Sequence, residues 1–114
     1  MKLTAKAEGL SKKLAQHAKV IQQKSSTFTS DAILLSGEGS MLQMTSTDLT
    51  TYLSNAEPAE VTEPGKALVP FKFFKDIISA LAGELTIEGD DRKIQISSGK
   101  AHYDIACYQM DTFP

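Results

Sequence analysis

The stretch "VPFKFFKDIISAL", Val69 to Leu81, decides how the chain is read. Three phenylalanines and two lysines fall in five residues directly after Pro70. At about 100° per residue, Phe71, Phe73, Phe74, Ile77, Ile78, Ala80 and Leu81 occupy one half of a helical wheel, and Lys72, Lys75, Asp76 and Ser79 the other. The spacing predicts a helix over 70–82, with Pro70 suited to the first turn and Gly83 beyond the end. All three phenylalanines are expected in the core. Base stacking needs exposed aromatics beside a basic groove, and a membrane-surface helix needs more cations, so neither describes this segment. Lys72 and Asp76 stand at i, i+4 and could pair on the outer face.

Outward from this helix, the pattern changes to period two. "KALV" reads as a short strand before it, and "ELTIEG", "RKIQISSG" and "AHYDIACY" read as three strands after it. The first half of the chain has the same plan. "MKLTAK" alternates as a strand, and a helix opens at Glu8 and runs to Lys24. Its Leu10, Leu14 and Ile21 fall within about 40° of one another, opposite Lys12, Gln16, Lys19 and Gln23. Beyond the polar loop "QKSSTFTS", strands are expected at Ala32–Ser36, Met41–Thr45 and Leu49–Ala56, with Asp48 accepting backbone N–H groups in the second turn. "EPAEVTEPG", Glu57 to Gly65, carries two prolines and reads as a connector between the halves. Strand, helix, three strands, twice over, is an internal repeat. It predicts one α+β domain over 1–114, with two helices packed by their apolar stripes on antiparallel sheet.

Composition narrows the function. The 114 residues are 41% hydrophobic with a net charge of −2, enough for one core and too few for a second domain. No secretory signal or membrane span is evident, and the lone Cys107, expected as a buried strand thiol, suits a reducing compartment; the expected location is the cytoplasm. His17 and His102 lack partners at metal-ligand spacing, and no G-x-S-x-G, P-loop or G-x-G-x-x-G motif is present, so neither a metal, a cofactor nor catalysis is expected. Charge is segregated, however. Residues 8–24 and 70–82 hold Lys12, Lys13, Lys19, Lys24, Lys72 and Lys75 against Glu8 and Asp76, a balance of +4, while the remainder balances at −6. A basic helix face on an acidic body suits salt-sensitive contact with phosphates and carries no base-reading element.

The residues "MKLTAKAEGLSKKLAQ", "AILLSGEGSMLQMTSTDL", "PGKALVPFKFFKDI", "ISSGKAHYDIA" and "DTFP" follow in an order and spacing that resemble the N-terminal domain of the bacterial DNA polymerase III β subunit, the sliding clamp. The resemblance implies the DNA-clamp fold and a processivity factor, not a catalyst. In that family six domains close a ring around duplex DNA, with helices lining the hole and sheets forming the outer wall. Carried over by position, it implies DNA contact at Lys24 and Lys72; Lys12, Lys19 and Lys75 join them from the helical wheel. It implies a subunit interface on the last strand, at Tyr103 and Ile105, which Lys100 and His102 could tune. It also implies two further domains after a segment such as "DTFP", through which DNA polymerase and the clamp loader would bind. One departure is that the loop "KSSTFTSD" lacks the prolines usual in the family. A clamp-like interaction module that does not encircle DNA is the alternative, its basic face then a solvated one.

Overall fold

The computed structural model describes residues 1–21 and 31–114. In chain order the elements are β1 (Lys2–Lys6), α1 (Ala7–Ile21), β2 (Ala32–Glu38), β3 (Met41–Thr47), β4 (Tyr52–Glu63), β5 (Gly65–Pro70), α2 (Phe71–Ser79), β6 (Glu84–Gly89), β7 (Lys93–Ser98) and β8 (Ala101–Ala106), followed by a 3₁₀ turn at Met110–Thr112. The strand, helix, three-strand repeat is therefore present in both halves. The strands make one antiparallel sheet in the order β5-β2-β3-β4-β1-β6-β7-β8.

That order shows how the halves are joined. The first strand of each half crosses into the other: β1 pairs with β6, and β5 pairs with β2. These two pairings join the halves into one continuous sheet. Strand β4 completes the seam. Its residues Tyr52–Pro58 pair with β3, and Ala59–Glu63 pair with β1. The expected connector at Glu57 to Gly65 is thus corrected to the second half of a 12-residue strand followed by the start of β5. Prolines deceive here because the missing N–H matters only where a ladder needs it. Pro58 lies at the handover, where the next donor, Ala59 N–H, reaches the Ser40 carbonyl at 2.9 Å, and Pro64 lies between strands.

Six of the eight strands send alternate residues into one core: Leu3 and Ala5, Ile33 and Leu35, Leu42 and Met44, Ala67 and Val69, Leu85 and Ile87, Ile94 and Ile96. Leu10 and Leu14 of α1 and Phe71, Phe74 and Ile78 of α2 close over this face as one core. Helix α2 is shorter than 70–82. Pro70 caps it in an extended conformation, and Ala80 ends it, with its N–H shared between the Asp76 and Ile77 carbonyls.

The ends of the chain are tied down as well. The Met1 ammonium donates to the Gly89 carbonyl at 2.7 Å and the Gly89 N–H returns to Met1 O at 2.9 Å. Gly89 has φ +152°, and a Cβ there would lie 2.1 Å from the Lys93 carbonyl oxygen, so only glycine fits. After β8 the chain crosses to β5, the opposite end of the strand order, where Tyr108 N–H donates to Leu68 O at 2.8 Å.

Candidate nucleic-acid interface

The helix lysines reach the surface because the sheet claims the opposite stripe of each helix. α1 and α2 pack against each other on the same face of the sheet, α1 also touching β3 and β4, and α2 touching β5 and β8. Lys12 and Lys19 of α1 and Lys72 of α2 are exposed, and Lys75 is half-buried. Lys19 lies in the last turn of α1, where a cation complements the helix dipole. Lys13 is drawn aside, its Nζ 3.4 Å from the Glu57 carboxylate on β4. That pair sits where α1 comes closest to the sheet: a Cβ on Gly9 would collide with the Glu57 carboxyl group. Lys24 lies outside the described residues. The Lys72–Asp76 pair that the spacing offers is not formed; the ion pairs among the described residues are Lys13–Glu57 and His102–Asp104.

At the start of α1, the Glu8 carboxylate accepts the Gly83 N–H at 2.9 Å, while Ala7 N–H donates to Gly83 O at 2.8 Å. The loop after α2 thereby holds the first turn of α1. The Gly83 hydrogen bond keeps the Glu8 carboxyl below its ordinary pKa, so the anion stays in place at neutral pH. Asp48 accepts the N–H groups of Thr51 and Thr50 at 2.7 and 2.9 Å, as its position in the β3–β4 turn predicts, and those bonds likewise lower its pKa.

The phenylalanines of the opening stretch divide. Phe71 is 7% exposed and Phe74 fully buried, but Phe73 is 63% exposed, which corrects the expectation that all three are core. On the wheel Phe73 stands about 100° from Phe74, at the flank of the buried sector beside Ile77. A half-circle division of the wheel counted it as inside, whereas the sheet and α1 cover a narrower arc.

Sequence reading missed His17. It continues the buried stripe of α1 after Leu10 and Leu14, and it is fully buried. Its Nδ1 lies 2.5 Å from Ser46 Oγ on β3 and its Nε2 lies 2.8 Å from Asn55 Oδ1 on β4. The signal was its place on the wheel, since an imidazole at a core position must find partners across the interface.

On the far edge, β8 pairs with β7 only. Tyr103 is half-buried, Ile105 is buried in this domain's own core, and Lys100 and His102 are exposed, with His102 Nε2 3.3 Å from Asp104 Oδ1. Cys107 follows β8 instead of lying within it, and is half-buried. Burial, with Asp90 and Asp91 nearby, pushes its thiol up to about 11. Among the described residues no group of three or more His, Cys, Asp or Glu side chains could hold a metal ion, and no helix is long and apolar enough to cross a membrane.

Comparison with known proteins matches this geometry to one family. The family described as DNA polymerase III beta subunit, N-terminal domain, matches residues 1–114. The beta sliding clamp of Caulobacter vibrioides is 27% identical over 118 residues, and that of Pseudomonas putida 27% over 117. Each comparison covers all of this chain and 32% of the relative, so the chain spans about a third of the length of these relatives. Among solved structures, Caulobacter crescentus pol III beta superposes with a TM-score of 0.92 at 27% identity, covering all of this chain and 31% of that one. The DNA polymerase III subunit beta of Pseudomonas aeruginosa superposes with a TM-score of 0.89 at 27% identity, with the same coverage. The two helices on an eight-stranded antiparallel sheet are thus the clamp architecture, and the chain belongs to the DNA polymerase III beta subunit family, matching its N-terminal domain from end to end.

Proposed function

We propose that this domain is part of a DNA polymerase processivity factor, a sliding clamp whose helices face duplex DNA. The observation that carries the reading is the placement of Lys12, Lys19 and Lys72 on the exposed sides of two helices packed side by side. The described helices expose two acids, Glu8 and Asp76, whereas strands and strand turns expose many more, among them Glu38, Glu60, Glu63, Glu84, Glu88, Asp90 and Asp91. Lysine ammonium groups on such a face hold phosphates loosely and without sequence preference, which a sliding contact requires. The half-buried Lys75 joins the same face in this reading, and Lys24, outside the described residues, is proposed as a contact from its place in the sequence. The role is one of encirclement and tethering, with no chemical step, in the bacterial cytoplasm at the nucleoid.

Assembly follows from open strand edges. β8 has one free edge, and among the described residues nothing pairs with the second edge of Tyr52–Glu57, because β1 joins β4 only from Ala59 onward. A domain with a free edge at two places can take a neighbouring clamp domain on each side, as a closed ring demands. At the β8 edge Tyr103 and the backbone would make the contact, with Lys100 and His102 setting its charge. Ile105, buried inward, would act through its main chain. DNA polymerase and the clamp loader would bind through other domains of a clamp subunit.

The test is binding of the chain to fluorescent duplexes of unrelated sequence. Equal affinity across sequences, lost on combining Lys12→Glu, Lys24→Glu and Lys72→Glu, is expected. Unchanged binding by the triple variant would remove DNA contact from the account and favour an interaction module.

A further inference from the structure

The hydrogen bonds around His17 assign its proton. Asn55 Nδ2 donates to Lys13 O at 3.1 Å and to Gln16 Oε1 at 2.8 Å, so the amide oxygen of Asn55 is the end that faces His17. An amide oxygen only accepts, and therefore Nε2 carries the hydrogen. Nδ1 is then the acceptor, and the Ser46 hydroxyl donates to it. Both ring nitrogens of His17 and both ends of the Asn55 amide are matched by this one arrangement. It joins α1 to both strands of the β3–β4 hairpin in the half of the helix that carries Lys19, with Lys12 just over one turn before His17.

We propose that His17 is a positioning residue that seats α1 on the β3–β4 hairpin in its neutral Nε2–H form, and that taking up a proton unseats this lysine-bearing helix. A second proton would arrive at Nδ1, where Ser46 now donates. The hydroxyl could rotate to accept, but the charge would remain in a fully buried site. The charged groups on the elements around α1 do not offset it. Glu57 is engaged by Lys13, Asp48 is held by its own turn, Lys2 and Lys6 of β1 and Lys72 and Lys75 of α2 are cations, and Asp76 is exposed. None of them hydrogen-bonds the imidazole, whose partners among the described residues are Ser46 and Asn55. Burial lowers the His17 pKa below its ordinary 6.5, the Asn55 hydrogen bond opposing this only in part.

The sign follows from linkage. With the folded pKa depressed, the unfolded chain binds the proton more readily. Stability is therefore fully present above about pH 6.5 and falls with acidification, by up to tenfold in the folded-to-unfolded ratio per pH unit, until the folded imidazole itself titrates. This inference concerns the seating of α1 and stands whether or not the lysines touch DNA.

The experiment is urea unfolding of the chain between pH 7.5 and 5.5, above the carboxylate range. The wild type should lose stability across this window. His17→Gln, which keeps donor and acceptor capacity without a titration, should flatten the loss. A second measurement needs no variant: proton NMR titration of the His17 ring, with amide exchange of α1 followed alongside. His17 titrating below an unstructured histidine peptide, with α1 amides exchanging faster once it does, is the expected result. A wild-type slope retained in His17→Gln would overturn the proposal, as would His17 titrating together with the unstructured peptide while α1 exchange stays unchanged.

Discussion

Alanine at Phe73 and alanine at Phe74 should have effects of different size, although the two residues are neighbours of the same type. Phe74 has no exposed surface and belongs to the core formed by both helices and the sheet. Deleting such a ring removes its transfer free energy and leaves a cavity, a cost of about 3–5 kcal/mol. Phe73 is 63% exposed, so about a third of its surface is covered. For an aromatic side chain of about 200 Å² at about 25 cal/mol per Å², this sets a ceiling near 2 kcal/mol. The alanine Cβ keeps part of the contact and no cavity opens, leaving about 1 kcal/mol. In urea unfolding with a slope of about 2 kcal/mol per molar, Phe74→Ala should lower the midpoint by roughly 1.5–2.5 M and Phe73→Ala by roughly 0.5 M. Should Phe74→Ala not fold, Phe74→Leu in the same assay should still exceed Phe73→Ala. Equal shifts at the two positions, or a larger one at Phe73, would refute the placement of α2 on the sheet.

Gly89→Ala forces an L side chain to φ +152° and its Cβ against the Lys93 carbonyl, so it should cost at least about 1–3 kcal/mol in the same unfolding assay, and more than alanine at Gly39, where φ is also positive but nothing crowds the Cβ. Cys107, with its thiol pushed up to about 11, should react with iodoacetamide at pH 8 much more slowly than an unstructured cysteine peptide, and should reach the peptide's rate in denaturant.

How much of this was legible beforehand depends on whether a feature is local. Alternation in "ELTIEG" and "KIQISS" shows directly as strands β6 and β7, and the repeat of strand, helix and three strands needs only the order of such segments. The exchange of β1 and β5 between halves leaves no local pattern, because pairing partners are chosen across the chain. β4 was cut short at Glu57 by its prolines, yet Pro58 falls where the strand changes partners. Among site residues, Lys12, Lys19 and Lys72 emerge exposed as the wheel predicts. Lys13 does not, since Glu57 lies 44 positions away in sequence. In the sequence His17 shows only that it lacks partners at metal-ligand spacing. Its actual partners, Ser46 and Asn55, are polar residues whose placement depends on hairpin register.

The central claim is that lysines on the two helices meet phosphates, and the salt dependence of duplex binding tests it most directly. The three exposed lysines at positions 12, 19 and 72 predict a slope at least as steep as about −2.7 in log K against log salt, so that a fourfold rise in salt weakens binding about 40-fold or more. Replacing Lys12 and Lys72 together with alanine should flatten that slope by about 1.8. A slope unchanged in the double variant, or a wild-type slope near zero, would contradict the account.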